Sequence, residues 1–227
     1  ITAMRLFEMV RERGYTGCPD HFRHMISKIR PPRPVEAFLR LKTLPGEQAQ
    51  ADWAHFGKID FGGYLRPLWA FVMVLAHSRA IFLKFFPGSS GFYFTLGHVE
   101  AFNFWSGSVR IVLYDNLKSV VLERRGDAIR FHPNILALAA HYRFEPRPVA
   151  VGRGNEKPRV ERAIRFIRES FFSARKWKDL EDLNRQAQEW SSGRAMDRLW
   201  PEDRTLTVQA AFQEEQGKLV PLPGDPF

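Results

Sequence analysis

The sequence predicts an α/β fold: a mixed sheet of about five strands flanked by helices, preceded by a small helical segment. Three β-rich segments follow one another from residue 48, which predicts an antiparallel meander. Further strand-like segments then alternate with helical patterns, which is typical of parallel strands covered by helices. The 227 residues, 44% of them hydrophobic, are enough for one sizeable core and a smaller unit.

Residues 1–30 predict two short helices separated by a glycine-containing turn. This pattern fits either a helix-turn-helix remnant, with basic side chains on its exposed side, or a plain helical hairpin. The next segment, residues 31–46, opens with Pro31, Pro32 and Pro34, and it is predicted to be a stiff linker.

The sheet is predicted within residues 47–190. Residues 191–227 contain several prolines and are predicted to connect to a C-terminal region beyond this chain. Because the chain begins with Ile1 and not Met, it is expected to be a piece of a longer protein. The predicted strands are residues 48–56, 64–75, 79–86, 109–114 and 144–149, and the predicted helices are residues 90–105, 132–142, 158–172 and 179–190.

The composition points to a polyanionic partner. The formal net charge is +9 and the sequence pI is about 10.0, which favours nucleic acid over a basic surface without a ligand. The single cysteine excludes an internal disulfide and a cysteine-cluster zinc site. The sequence shows neither a secretory signal nor an apolar run long enough to span a membrane.

Carboxylates at strand positions are the candidate catalytic groups. Asp52 interrupts the β-rich stretch QAQADWAHF, although aspartate is disfavoured inside strands, and Asp115 ends the apolar run VRIVLYD. A third acid, Glu156 or Glu161, lies near the predicted helix 158–172. The alternative readings are an ion pair for Asp52 and a turn or capping role for Asp115.

Neighbouring strands can place Asp52 and Asp115 side by side, where two carboxylates repel each other unless cations intervene. Mg²⁺ prefers such oxygen ligands together with substrate phosphates. Two ions roughly 3.5–4 Å apart would activate a water or a 3′-hydroxyl and stabilise the leaving oxygen of a phosphoryl transfer. The sequence therefore predicts metal-dependent phosphodiester chemistry on DNA.

Three segments, QADW, LYDNLKS and GRGNEKPRVERAIRFIRESFF, together resemble the catalytic core of IstA-type insertion-sequence transposases. That family belongs to the DDE superfamily, and the resemblance implies the ribonuclease-H-like fold of retroviral integrases for residues 47–190. Matched residue by residue, the family's two aspartates fall on Asp52 and Asp115, and its glutamate falls on Glu161. The resemblance implies that these three acids are the catalytic residues and bind Mg²⁺, with Mn²⁺ able to substitute.

The position of Pro158 also favours Glu161 over Glu156. Proline disfavours the α conformation of the residue before it, so the helix is expected to begin at Pro158 and to leave Glu156 in the preceding loop. Basic residues around this helix are predicted to contact DNA phosphates, although a solvated helix face with local ion pairs is the alternative. The predicted DNA-binding residues are Lys118, Arg153, Lys157, Arg159, Arg162, Arg165 and Arg168.

The resemblance further implies DNA cleavage at element ends and strand transfer of the 3′-hydroxyl into target DNA. It implies a homo-oligomer on DNA, an AAA+ helper ATPase and a location in the bacterial cytoplasm at the nucleoid, without a membrane partner. Two alternatives remain open: a metal-dependent nuclease of the same fold, which does not join strands, and a non-catalytic DNA-binding derivative.

Overall fold

This computed structural model describes residues 3–30, 42–114, 121–125, 128–148 and 158–227. The chain divides into two compact units, Ile1–Leu41 and Lys42–Phe227. Most of the predicted linker, residues 31–41, lies outside the described residues. Within the described part of the chain, no helix is long and apolar enough to cross a membrane.

The first unit contains the two predicted helices, α1 (Ala3–Arg11) and α2 (Pro19–Ile29). Pro19 opens α2, where its missing N–H leaves no hydrogen bond unmade, and the Cys18 sulfur accepts a hydrogen bond from the His21 amide. Phe7 and Phe22 pack in a small aromatic core with ring centroids 5.6 Å apart. The predicted helices are confirmed, and this packing suits either a helix-turn-helix remnant or a plain hairpin.

The second unit is built on a mixed sheet of five strands in the spatial order β3-β2-β1-β4-β7. The first three strands along the chain form the predicted antiparallel meander, and β4 and β7 extend the sheet parallel to β1. The bounds are β1 (Gln48–Phe61), β2 (Tyr64–Leu75), β3 (Ile81–Phe86), β4 (Ile111–Tyr114) and β7 (Glu145–Pro148). Two further strands, β5 (Val121–Arg125) and β6 (Ala128–Phe131), pair as a separate hairpin.

Helices cover both faces of the sheet. On one face, α3 (Gly91–Trp105), α4 (Pro133–Tyr142) and α7 (Val208–Gln216) share a core with Ala49, Ala51 and Trp53 of β1. On the other face, α5 (Pro158–Phe166), its π-helical continuation Ile167–Phe172 and α6 (Leu180–Ser192) pack on Ala54 and Phe56. The predicted α/β class, with about five strands and flanking helices, is confirmed.

A bulge in β1 changes which residues of the strand face each layer. The pairing with β2 shifts between His55 and Lys58, where Gly57 has φ +91°. A bulge inserts one residue, so the alternation of faces changes by one position. Phe56 and Ile59 therefore both enter the core beneath α5 and α6, although they differ in parity.

The C-terminal residues 191–227 are part of this unit, whereas the sequence predicts a connector there. Met196, Val208, Phe212 and Leu219 are buried in the core beneath α3 and α4. The fully buried carboxylate of Glu215 also accepts hydrogen bonds from the amides of Gly46 (3.0 Å) and Ser78 (2.9 Å). The prolines thus separate short packed segments of the folded unit.

Candidate active site

Asp52 lies on the central strand of the sheet. On β1 it is flanked by β2 on one side and β4 on the other, and its side chain is half-buried. Alternate residues of a strand share a face, so Asp52 lies on the same side as Gln50 and Ala54, toward α5. One carboxylate oxygen of Asp52 accepts a hydrogen bond from the Trp53 amide at 2.8 Å.

The end of β4 lies beside this position. In the parallel pairing of β1 with β4, Ala51 is opposite Tyr114, the last residue of β4. Asp52 follows Ala51 in the chain, and Asp115 follows Tyr114. Asp115 itself, like Lys118, lies outside the described residues.

Glu161 is held near β1 by the start of α5. The helix begins at Pro158, as the sequence predicts, and Glu161 is exposed in its first turn, where a negative charge complements the helix dipole. The amide of Val160 donates a hydrogen bond of 3.2 Å to the side-chain oxygen of Gln50, which is 3% exposed. Val160, which directly precedes Glu161, is thus in contact with Gln50, which lies two residues before Asp52 on β1.

A second contact fixes the other end of the same helical segment to β1. The Arg168 guanidinium donates a hydrogen bond of 2.8 Å to the His55 carbonyl and lies 4.5 Å from the centre of the Phe56 ring. Helix α5 and its continuation therefore run along β1 from Gln50 to Phe56 and pass over the strand that carries Asp52.

The oxygen ligands available here suit a hard divalent cation. Carboxylates of Asp52 and Glu161 are the groups that Mg²⁺ binds in proteins, and a half-buried acid beside a strand end is accessible to an ion. Within the described ranges, which exclude Asp115, no group of three or more His, Cys, Asp or Glu side chains is close enough to hold a metal. A complete three-acid site would therefore need Asp115.

Positive charge accumulates along α5 and its continuation. Burial, and next the charge of Arg79, lowers the pKa of Arg159 to about 10, so its guanidinium remains protonated at neutral pH. Arg162 and Arg165 are exposed on the same helix, and Arg168 is exposed while it contacts β1. Arg153 and Lys157 lie outside the described residues, as does Glu156.

Two residues of this region are missed by sequence reasoning. Gln50 shares its strand face with Asp52, but its contact with Val160 joins positions 110 residues apart and leaves no local signal. Arg79, in the turn between β2 and β3, has φ +70° and pairs with Glu202 at 2.5 Å. The fold brings Arg79 close enough to Arg159 for its positive charge to lower the pKa of Arg159.

Comparison with known proteins matches the chain to transposases. It is 30% identical over 223 residues to the transposase for insertion sequence element IS21 of Pseudomonas aeruginosa, across 98% of this chain and 57% of that protein. It is 31% identical over 186 residues to the transposase for IS640 of Shigella sonnei, across 82% of this chain and 59% of that protein. The chain thus spans somewhat more than half the length of these relatives. No protein-family model matches it.

Solved structures with a similar fold include retroviral integrase cores. The catalytic core domain of HTLV-2 integrase, solved with magnesium in a dimeric form, matches 74% of this chain with a TM-score of 0.51 and 14% identity. The catalytic core domain of BIV integrase matches 76% with a TM-score of 0.54 and 13% identity. The chain is therefore homologous to the transposases of IS21 and related insertion sequences, and its fold is that of the retroviral integrase catalytic core.

Proposed function

We propose that this chain is the catalytic part of a DDE transposase that cleaves DNA at element ends and transfers the 3′-hydroxyl into target DNA. The homologues are transposases and the fold is that of integrase cores. The observation that carries the proposal is the Gln50–Val160 hydrogen bond, which joins the strand of Asp52 to the helix of Glu161.

Asp115 is proposed as the second acid because of the register of β1 and β4. Adjacent strands lie about 4.8 Å apart, and Ala51 is opposite Tyr114. In the sequence, Asp52 directly follows Ala51 and Asp115 directly follows Tyr114. The Asp115 carboxylate would then share cations with Asp52.

In this proposal the three carboxylates hold Mg²⁺, for which Mn²⁺ would substitute. When bound, such ions activate the attacking oxygen and stabilise the leaving oxygen in phosphoryl transfer. Asp52 would supply its ligand oxygens from β1, and Glu161 would supply a third carboxylate from the first turn of α5. Arg162 and Arg165, both exposed on α5, bind DNA phosphates and orient the DNA strand.

Strand transfer tests the acids directly. With pre-cut element ends and Mg²⁺, Asp52→Asn and Asp115→Asn are expected to abolish joining while far-ultraviolet circular dichroism stays unchanged. Asp60→Asn is the matched control, because Asp60 is exposed on the same strand and accepts a hydrogen bond from Gly63 in the hairpin turn. Joining by a folded Asp115→Asn protein would refute the mechanism, and cleavage without joining would indicate a nuclease.

The basic helix predicts salt-dependent DNA binding. If about 6–10 phosphates are contacted, affinity falls by roughly 10³–10⁵ between 50 and 200 mM salt. Arg162→Ala or Arg165→Ala should each reduce the salt slope by about 1. Arg185→Ala, an exposed change beside edge strand β3, should leave the slope unchanged. Salt-independent binding would contradict the phosphate contacts.

Assembly belongs to the same proposal. The HTLV-2 integrase core has been solved in dimeric and trimeric forms, and joining two element ends to one target requires more than one active site. We infer a homo-oligomer on DNA at the bacterial nucleoid, with an AAA+ ATPase as the helper protein of the full-length transposase. Mass measurement of the chain with and without element-end DNA tests the oligomer: a strictly monomeric DNA complex would contradict it.

A further inference from the structure

A buried polar pair lies directly behind the end of β4. Tyr114 and His98, a residue of α3, are both fully buried. The Tyr114 hydroxyl and the Nε2 atom of His98 are 2.9 Å apart, and the Nδ1 atom of His98 is 2.8 Å from the Phe94 carbonyl oxygen. Two hydrogen bonds in series thus connect the last residue of β4 to the backbone of α3.

The chemistry of the two partners fixes the direction of both hydrogen bonds. A carbonyl oxygen only accepts, so His98 must carry its proton on Nδ1 and donate it to Phe94. Nε2 then has a lone pair, which accepts the hydroxyl proton of Tyr114. Both nitrogen atoms of the neutral ring and the tyrosine hydroxyl are satisfied without water.

The surroundings make this pairing obligatory. The ring centre of His98 lies 4.5 Å from that of Phe94 and 4.9 Å from that of Phe71, so aromatic rings surround the pair. Breaking one hydrogen bond would leave a buried polar atom without its partner among the described residues, which is costly in an apolar core. An apolar pair of similar volume would fill the same space without this constraint, so stability alone does not require the pair.

What the pair determines is the position of the strand end. Tyr114 is one peptide bond before Asp115 and is opposite Ala51, one peptide bond before Asp52. A metal site tolerates errors of only about 0.2 Å in ligand distances. We propose that His98 and Tyr114 are positioning residues that fix the end of β4 so that Asp115 meets the cations shared with Asp52. This inference rests on the proposed function.

Mn²⁺ binding to the chain, measured by isothermal titration calorimetry, tests the proposal without requiring catalysis. Tyr114→Phe is expected to weaken Mn²⁺ binding roughly 10-fold. This is the lower end of the loss in affinity caused by removing a hydrogen bond that supports a metal site. Tyr142→Phe is the matched control: Tyr142 is buried in the same core, and its hydroxyl bonds to no other residue in the described part of the chain. The Mn²⁺ affinity of the Tyr142→Phe variant should equal that of the wild type.

A double variant separates positioning from stability. His98→Leu combined with Tyr114→Phe removes both polar partners, so thermal stability should recover relative to Tyr114→Phe alone. Mn²⁺ affinity should stay roughly 10-fold weaker than in the wild type, because no side-chain hydrogen bond then ties residue 114 to α3. Recovery of both properties together, or wild-type affinity in Tyr114→Phe, would overturn the proposal.

The proposed function can fail separately in the same experiment. If the wild type and Asp52→Asn bind Mn²⁺ equally or not at all, the three-acid metal site is wrong, and the pair has no site to position. If the wild type binds and Asp52→Asn does not, the metal site stands. The Tyr114→Phe result then decides the role of the pair alone.

Discussion

Gln50 on β1 and Val160 on α5 are joined by a buried hydrogen bond of 3.2 Å, although 110 positions separate them in the chain. Gln50 precedes Asp52 by two residues on the same strand face, and Val160 directly precedes Glu161. The contact therefore links the elements that carry the proposed first and third catalytic acids.

Replacing this glutamine tests the link. Gln50→Leu leaves the Val160 amide buried without this acceptor, which costs about 1–3 kcal/mol in the free energy of unfolding. Strand transfer should fall more than the unfolded fraction explains, because the helix of Glu161 loses its fixed position. Urea unfolding and a joining assay measure the two effects. Gln188→Leu, an exposed change on α6, should alter neither, and wild-type joining by Gln50→Leu would contradict the link.

The choice between Glu161 and Glu156 is tested with a pair of glutamine substitutions. Glu161→Gln is expected to abolish Mg²⁺-dependent strand transfer, because Glu161 lies in the first turn of α5 beside β1. Glu156→Gln should retain activity, since the helix begins after it, at Pro158. Joining by Glu161→Gln together with its loss in Glu156→Gln would reverse the assignment.

Sequence reasoning succeeds here where the signal is local. The strands of the meander, the helix start at Pro158 and the acid on β1 all follow from β-rich runs, from proline geometry and from a carboxylate in an unfavourable place. The hairpin of β5 and β6 was missed, although Gly126-Asp127 between two short runs is a hairpin signal. A segment as rich in charged residues as 121–131 is more typical of a loop.

The remaining misses depend on tertiary contacts. A proline-rich tail favours a connector, and only the burial of Phe212 and Glu215 shows that α7 completes the core. Likewise, His98 lies in a helix with apolar residues on all sides, and its partner Tyr114 is known only once β4 packs on α3. No local pattern in the sequence encodes such pairings.

The buried carboxylate of Glu215 predicts that the C-terminal segment stabilises the catalytic unit. Glu215→Ala would leave the amides of Gly46 and Ser78 without their acceptor, at a cost of about 1–3 kcal/mol for each in the free energy of unfolding. Chemical denaturation measures this change. Glu214→Ala is the control, because Glu214 is exposed on the same helix. Equal unfolding midpoints for the two variants would show that the contact contributes nothing.

The fold should lose stability in mild acid because of His98. Burial lowers the pKa of His98 to about 4, against about 6.5 in the unfolded chain, so between these values the unfolded state binds more protons. This contribution is fully present above pH 6.5 and is lost as the pH falls toward 4, which amounts to about 3 kcal/mol.

Unfolding free energies at pH 7 and pH 4 measure this effect. The double variant His98→Leu with Tyr114→Phe should lose about 3 kcal/mol less than the wild type over the same range. His55→Gln, which changes an exposed histidine of β1, should follow the wild-type profile. Identical losses in all three proteins would show that His98 is not the titrating group.

A crystal structure of the chain soaked with Mn²⁺ and measured near the manganese absorption edge tests the central claim most directly. Anomalous density is expected to contact the carboxylates of Asp52 and Asp115, with Glu161 facing the same ion or its neighbour. The density should be absent in Asp52→Asn. Ordered carboxylates at residues 52, 115 and 161 with no manganese among them at millimolar Mn²⁺ would rule out the three-acid metal site.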